Sequence, residues 1–184
     1  MSDSRARRSG IEIRTEAVSD RDSIASVVAR AFASEAEARL VEAIRASDNF
    51  VLDWSLVATV ESRVVGHVMV SYVGLHDANV SRRIPSLSPL AVDPESQGGG
   101  VGSALVRAVV ERVDAAREPL IVLEGSPVYY ARFGFEFAVP LGIWIDLPTW
   151  APPEAAQVLR LRTYDARIRG NVAYPPAFAA VEDR

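Results

Sequence analysis

Two pieces of this chain have residue types and spacing suited to chemistry: a pair of phenols behind a strand end and a run of glycines at a helix start. The phenols are Tyr129 and Tyr130, within Leu123-Glu124-Gly125-Ser126-Pro127-Val128-Tyr129-Tyr130-Ala131-Arg132-Phe133-Gly134-Phe135. The glycines stand in Leu90-Ala91-Val92-Asp93-Pro94-Glu95-Ser96-Gln97-Gly98-Gly99-Gly100-Val101-Gly102-Ser103. A phenol carries its proton at neutral pH and can give it to a leaving group. Glycines let a backbone turn tightly and approach an anion with no side chain between. The first amides of a helix have no intrahelical acceptor and sit at the positive end of its dipole, so a diphosphate is the natural ligand there. The bland readings are a flexible glycine turn and tyrosines that pack the core, and core packing is expected for one of the two tyrosines.

The elements that must position these residues are legible around them. Val101, Leu105, Val109 and Val113 recur every four residues, with Arg107, Glu111 and Asp114 off the stripe, which predicts an amphipathic helix of about four turns. Pro119 ends it, and Leu120 to Leu123 is a continuous apolar strand. A strand, a helix and a strand should make a parallel pair with a right-handed crossover. Ser126 followed by Pro127 starts a short helix and Gly134 stops it. Upstream, Ile11–Val18 alternates as a strand. Ser19 and Asp22 resemble a capping start for a helix with Ile24, Val27, Val28, Ala31 and Phe32 on one face. Ser34 and Glu37 repeat the signal before Leu40, Val41 and Ile44. Leu56–Val60 and Val64–Leu75 read as strands joined at Glu61, Ser62 and Arg63. Ile84–Val92 is another, whose Pro85 and Pro89 fit an edge or a bulge. Ile143–Ile145 and Val158–Leu161 are the strands expected in the last third.

No internal repeat or linker interrupts the chain, so residues 11–184 are expected to form a single domain behind a mobile tail over residues 1–10. At 184 residues it can bury a substantial core, and 49% hydrophobic with 24% charged residues is an ordinary globular balance. No apolar run reaches the roughly 18 residues of a membrane span, and residues 1–10 lack the apolar centre of a secretion signal. A cytoplasmic location without membrane partners is therefore expected. With no cysteine, thiolate nucleophiles, disulfides and thiolate metal sites are excluded. All twenty basic residues are arginine, which excludes a Schiff-base lysine and a Walker-type phosphate lysine. His67 and His76 are too few for a histidine metal centre, so no metal is expected. A net charge of -4 argues against nucleic acid as a partner.

Two families compete for the glycine run. Gly98, Gly100 and Ser103 approach the Gly-x-Gly-x-x-Gly of a nicotinamide-binding Rossmann loop, and Glu124 falls about 20 residues on, where that motif wants a ribose-binding acid. Against it, five residues from Asp93 to Gln97 separate strand from glycines, and antiparallel-looking strands come first. The second resemblance is to the GCN5-related N-acetyltransferase superfamily. Its acetyl-CoA signature of Gln or Arg, two residues, Gly, one residue, then Gly or Ala stands here as Gln97-Gly98-Gly99-Gly100-Val101-Gly102. Leu90-Ala91-Val92-Asp93-Pro94 resembles the family's fourth strand and following turn. Tyr129-Tyr130-Ala131-Arg132-Phe133-Gly134-Phe135 is similar to the YhbS-like group of predicted acetyltransferases within it. Element order agrees from Ile11 to at least Phe137.

This resemblance implies an α/β fold whose mixed sheet splays its central parallel strands around acetyl-CoA, the cosubstrate. It implies that the main chain of Leu90, Ala91 and Val92 pairs with the pantetheine arm. The loop of Gln97, Gly98, Gly99, Gly100, Val101, Gly102 and Ser103 would hold the pyrophosphate through its amides. Tyr130, four residues before the Gly of the Gly-Phe pair, would protonate the departing thiolate. The reaction would be direct acetyl transfer to an amine, with no covalent enzyme intermediate. No base is assigned by the resemblance. Glu124 is the best-placed carboxylate and departs from the small residue of YhbS-like chains, so a base acting through water, a substrate contact and a solvated strand end all stay open. Ser86 and Ser88 could order water or be plain strand serines. Arg107 could meet a nucleotide phosphate, although solvent exposure explains it better. Phe50, Trp54, Trp144 and Trp150 line a pocket or cap the core. The acceptor ranges over a small amine, an aminoacyl group, an antibiotic and a protein or peptide N-terminus, and the oligomeric state over monomer and homodimer. A non-catalytic acyl-CoA-binding regulator is the remaining alternative, which the intact Tyr130 disfavours.

Overall fold

Two long strands, β3 (Arg63–Asp77) and β4 (Val80–Val92), form the backbone of the sheet in the computed structural model, which describes residues 10–78 and 80–181. The tail expected over residues 1–10 lies, apart from Gly10, outside the described residues. Val64 to Ser71 of β3 is buried on both faces, which is why its sequence reads as a nearly unbroken apolar run. β1 (Glu12–Thr15) and β2 (Phe50–Val60) continue the sheet on one side in antiparallel pairing. On the other side β4 meets β5 (Leu120–Glu124) in parallel, and β8 (Ala156–Arg160) and β6 (Glu136–Phe137) follow antiparallel. A further pair, β7 (Ile143–Trp144) and β9 (Gly170–Ala173), joins β3 through β9 beyond the point where β2 ends.

Helices cover both faces. α1 (Arg21–Phe32) and α2 (Ala36–Arg45) pack one, with Ile24, Val28, Val41 and Ile44 against Val57, Met69, Val73 and Ile84. α3 (Val101–Ala115) packs the other, and its stripe of Val101, Leu105, Val109 and Val113 is buried against Leu56, Val68 and Ile121. The strand–α3–strand unit is the expected crossover. The serial parallel sheet of a Rossmann domain is absent among the described residues: β1 to β4 run antiparallel ahead of the glycine loop.

Several boundaries differ from the sequence expectation for physical reasons. β2 starts at Phe50 because a register shift between Phe50 and Ser55 breaks the alternation that marks a strand. β4 starts at Val80 because Ser81, Arg82 and Arg83 are exposed on a hairpin arm that needs no apolar face. Ser19 does not cap α1. Asp20 holds the entry, accepting from the Ala17 amide at 2.7 Å and from Arg14. The Ser34 hydroxyl does mark the next start, accepting from the Ala36 amide at 3.0 Å.

A buried polar cluster ties β1, α2, β2 and β3 together. Arg45 donates to both carboxylate oxygens of Glu16, at 2.7 and 3.0 Å, and the Ser55 hydroxyl donates to Glu16 at 2.5 Å. His67 Nε2 lies 3.0 Å from Ser55 Oγ and 3.3 Å from Glu16, so the network is satisfied when Nε2 carries the proton. Its Nδ1 is buried with no hydrogen-bond partner among the described residues. Desolvation acts to raise the Glu16 carboxyl, but hydrogen bonds from His67, Arg45 and Ser55 outweigh it and bring it down to about 2. Burial lowers the His67 imidazolium, so this histidine is neutral in the fold.

Candidate active site

The loop before α3 is built before any ligand arrives. The Asp93 amide donates to Val65 O at 2.9 Å, and its buried carboxylate accepts from the Glu95 amide at 3.1 Å and pairs with Arg30 of α1. Pro94–Ser96 makes a single 3-10 turn, and the Gln97 side-chain amide reaches back to Val92 O at 3.2 Å. Gly98 and Gly100 have φ of 76° and 89°, the left-handed region where a side chain costs about 1–2 kcal/mol. A Cβ placed on either would meet nothing within 4 Å, so both backbones face open space. The first helical bond of α3 runs from Ala104 N to Gly100 O at 3.0 Å, and no side chain caps the helix. The amides of Val101, Gly102 and Ser103 therefore lack intrahelical partners, and no acidic residue stands in the first turn to repel an anion. An open, amide-rich cradle of this kind fits the diphosphate of a nucleotide-type thioester.

Beside the loop, the sheet opens. β4 and β5 share one register pair, Ser86 with Val122. Just beyond it, β4 takes an extra residue, since Val68 and Val70 of β3 face Leu90 and Leu87. This bulge holds Ser88 and Pro89 and bends β4 away from β5. Leu90, Ala91 and Val92 thus run along β3 on one side with β5 no longer paired to the other. The expected splay is present, and a chain-like ligand has a strand edge to pair with.

α4 (Pro127–Tyr130) closes the far side of the opening. Ser126 caps it, accepting from the Tyr129 amide at 3.3 Å, and Gly134 ends the following 3-10 turn with φ of 90°. The two tyrosines divide the space. The Tyr129 hydroxyl rests on the first turn of α3, 2.6 Å from where a Gly102 Cβ would stand. Its ring is stacked by Arg132 at 4.4 Å. Tyr130 lies over Gly125 at the end of β5, with its ring 4.9 Å from Tyr129 and 5.6 Å from Phe135. Burial first, and then Tyr129, raise the Tyr130 phenol above its ordinary value, so it holds its proton through the physiological range. Tyr129 thus faces the first turn of α3, and Tyr130 the end of β5.

Glu124 follows Val122 on the α1/α2 face of β5. Its side chain meets water, yet protein crowds it enough for desolvation to raise the carboxyl, while a hydrogen bond from Tyr174 acts to lower it. Tyr174, just past β9, gave no sequence signal beyond sharing the apolar face of Val172 ahead of two prolines. Gly125 is the other missed position, and Gly102, expected only for its amide, carries a second demand. At each a side chain would collide with a tyrosine, with the Tyr129 hydroxyl at Gly102 and with the Tyr130 ring edge at Gly125. Ser86 is buried on the same face as Glu124. Arg107 is exposed, with its guanidinium 5.5 Å from the Phe133 ring. Trp54 belongs to the core on the α3 face, its ring tilted against Tyr72 at 5.2 Å, and Phe50 packs against the core on the α1/α2 face. Trp144 and Trp150 are exposed.

Comparison with known proteins finds relatives of the same fold. A family profile described as an acetyltransferase (GNAT) domain matches residues 12–138. YhbS of Escherichia coli (strain K12), an uncharacterized N-acetyltransferase, is 36% identical over 127 residues, 68% of this chain and 74% of YhbS. YjhQ from the same strain, likewise an uncharacterized N-acetyltransferase, is 35% identical over 118 residues, 64% of this chain and 65% of its own length, just under two thirds. A crystal structure of Escherichia coli YhbS in complex with CoA superposes with a TM-score of 0.82 at 32% identity, over 92% of each chain. A GNAT family acetyltransferase from Brucella melitensis in complex with acetyl-CoA gives 0.73 at 29% identity, over 91% of this chain and 97% of that one. The segment that carries Tyr174 lies beyond the residues matched by the family profile.

Proposed function

The chain belongs to the GNAT acetyltransferase family, and from that premise we propose that it transfers the acetyl group of acetyl-CoA directly to an amine. The observation that carries the reading is the parting of β4 and β5 after a single pair, between an amide cradle and a half-buried phenol. Acetyl-CoA, when bound, supplies a thioester whose carbonyl carbon an amine can attack. The amides of Gly98 through Ser103, steadied by Gln97, take the pyrophosphate. The main chain of Leu90, Ala91 and Val92 pairs with the pantetheine arm and offers amides to the thioester carbonyl. Tyr130 holds a proton for the departing sulfur, and Glu124 accepts one from the incoming amine. A small amine or a peptide N-terminus is the class of acceptor.

Neither rival reading has an observation in its favour. The sheet order lacks the serial parallel strands of a dinucleotide domain, and an intact Tyr130 gives no sign of a site that has lost turnover. The test is calorimetric titration with acetyl-CoA beside NADH. Binding of acetyl-CoA alone is expected, and a folded protein that ignores it sinks the proposal. Tyr130→Phe should then keep acetyl-CoA binding and lower CoA thiol release by about 10²–10⁴-fold. Full turnover by that variant would remove Tyr130 from the role.

A further inference from the structure

The loop that offers its amides to a diphosphate carries the wrong charge for one. From Asp93 to Ser103 the chain has two carboxylates, Asp93 and Glu95, and no basic residue. Glu95 is exposed, and water screens it. Asp93 is buried, so its field reaches the cradle through protein instead of water. The free amides at the start of α3 supply only about half an elementary charge of the opposite sign. One buried carboxylate nearby outweighs them. It is near, because the Gln97 side-chain amide, donating to Val92 O at 3.2 Å, brings the residue before Gly98 back to the residue before Asp93.

The Asp93 side chain is still needed where it stands. It accepts from the Glu95 amide at 3.1 Å while the Ser96 amide donates to Asp93 O at 2.8 Å, and these bonds make the turn between β4 and the glycines. The countercharge comes from outside the loop. Arg30, in the last turn of α1, donates from Nη2 to Asp93 Oδ2 at 2.5 Å. Among the described residues this is the one ion pair that residues 93–103 make. Arg30 is well placed for it: Val27 and Val28 hold α1 in the core, and the Ser34 amide closes the helix end on Ala29 O at 3.0 Å. The Arg30 side chain is 54% exposed and that of Asp93 6%. A pair with one arm in water adds little to the stability of a fold. What it changes is the charge that a ligand meets at the loop.

Resting on the acetyl-transfer reading, we propose that Arg30 is a positioning residue for acetyl-CoA that acts through Asp93, as the countercharge that lets the glycine loop accept a diphosphate. Arg30 does not itself meet the phosphates. It cancels the carboxylate that shapes the turn, and the amides of residues 98–103 are then free to attract an anion. Helix α1, on the far face of the sheet from α3, thereby sets the affinity of the donor site.

Calorimetric titration of the full chain with acetyl-CoA at low ionic strength reads the effect. Arg30→Gln, which drops the charge from an exposed side chain, should weaken binding about tenfold, the repulsion of a dianion by a unit charge on the order of 10 Å away at an effective dielectric constant of about 40. Arg30→Lys should stay within about threefold of wild type, since a single point charge suffices. Asp93→Asn separates charge from fastening. Its side-chain carbonyl keeps the turn and leaves the Arg30 charge uncancelled, so acetyl-CoA should bind as tightly as to wild type or more tightly. A pair that only fastens the loop to α1 predicts the reverse, because either single change cuts the same tie. The double variant of Arg30→Gln with Asp93→Asn should regain the affinity that Arg30→Gln lost. In steady state, with hydroxylamine as a small acceptor, the Arg30→Gln loss should appear in KM for acetyl-CoA and not in kcat. Wild-type affinity in Arg30→Gln, weakened binding in Asp93→Asn or in the double variant, or a loss confined to kcat overturns the inference and leaves the transferase reading standing. A folded wild-type protein that does not bind acetyl-CoA overturns that reading, and this inference with it.

Discussion

Adding one methyl group at Gly125 should disable Tyr130 without touching it. A Cβ at Gly125 would stand 2.5 Å from Tyr130 Cε2 and 3.0 Å from Cδ2, where ordinary contact begins at 3.4 Å. Gly125 is outside the left-handed region, so alanine suits its backbone and the conflict falls on the ring. The ring must retreat by about 0.9 Å, and Tyr129, Phe133 and Phe135 block the other directions. Overpacking of this kind costs about 1–3 kcal/mol of stability. A misplacement near 1 Å in a reacting group costs about 10²-fold in rate. Gly125→Ala should therefore lower hydroxylamine-dependent CoA release at saturating acetyl-CoA by about 10²-fold, while the calorimetric affinity for acetyl-CoA is kept. The double variant with Tyr130→Phe supplies the control: once the hydroxyl is gone, the extra methyl should cost about twofold or less, because the two changes strike one function. Full activity of Gly125→Ala, or losses that simply multiply in the double variant, would refute the placement of Tyr130 as the acid.

Other expectations follow from the same geometry. Gly98→Ala and Gly100→Ala should each cost about 1–2 kcal/mol through their positive φ, a fall in Tm of about 2–8 °C, and weaken acetyl-CoA binding tenfold or more in calorimetry. Retained affinity would place the phosphates elsewhere. The buried Glu16 cluster sets the acid limit of stability. Its folded value of about 2 lies below the ordinary 4.5, so its contribution is complete above 4.5 and is lost as pH falls toward 2. Roughly 3 kcal/mol is at stake, and Glu16→Gln should flatten that part of a urea-unfolding series, despite a lower starting stability. His67, kept neutral by burial below its ordinary 6.5, adds destabilisation from about 6.5 downward as the unfolded chain takes up the proton. His67→Gln should remove this upper slope, and an unchanged slope would show that the ring charges in place.

The donor half of the site was legible because its geometry is local. Glycines that need positive φ, a serine cap, a proline at the first helical position and a four-residue apolar stripe all act within one turn of themselves, and Gly98, Gly100, Ser126 and Val101 to Val113 behave as their types dictate. The surroundings of Glu124 depend on distant pairings. Nothing near Tyr174 announces that it will meet Glu124, fifty residues earlier, and the alternation of β9 is too short to stand out. Ser71 looked like any strand serine until β4 laid Ser86 beside it. The Phe50–Ser55 irregularity hid the first half of β2 for a related reason, since a bulge is defined by the partner strand.

The handover on β3, where β9 takes the place left by β2, also orders the assembly of the molecule in time. Residues 74–76 wait for partners at 171–173, almost a hundred positions downstream. The donor unit from β4 through α4 joins neighbours in sequence and can close early, whereas the β9 pairing must first meet the entropy of a long loop. During synthesis from the N-terminus, the glycine loop and the tyrosine helix can therefore form while β9 is still unmade. The order of closure thus leaves the β3 edge at residues 74–76 as the late-forming seam of the sheet.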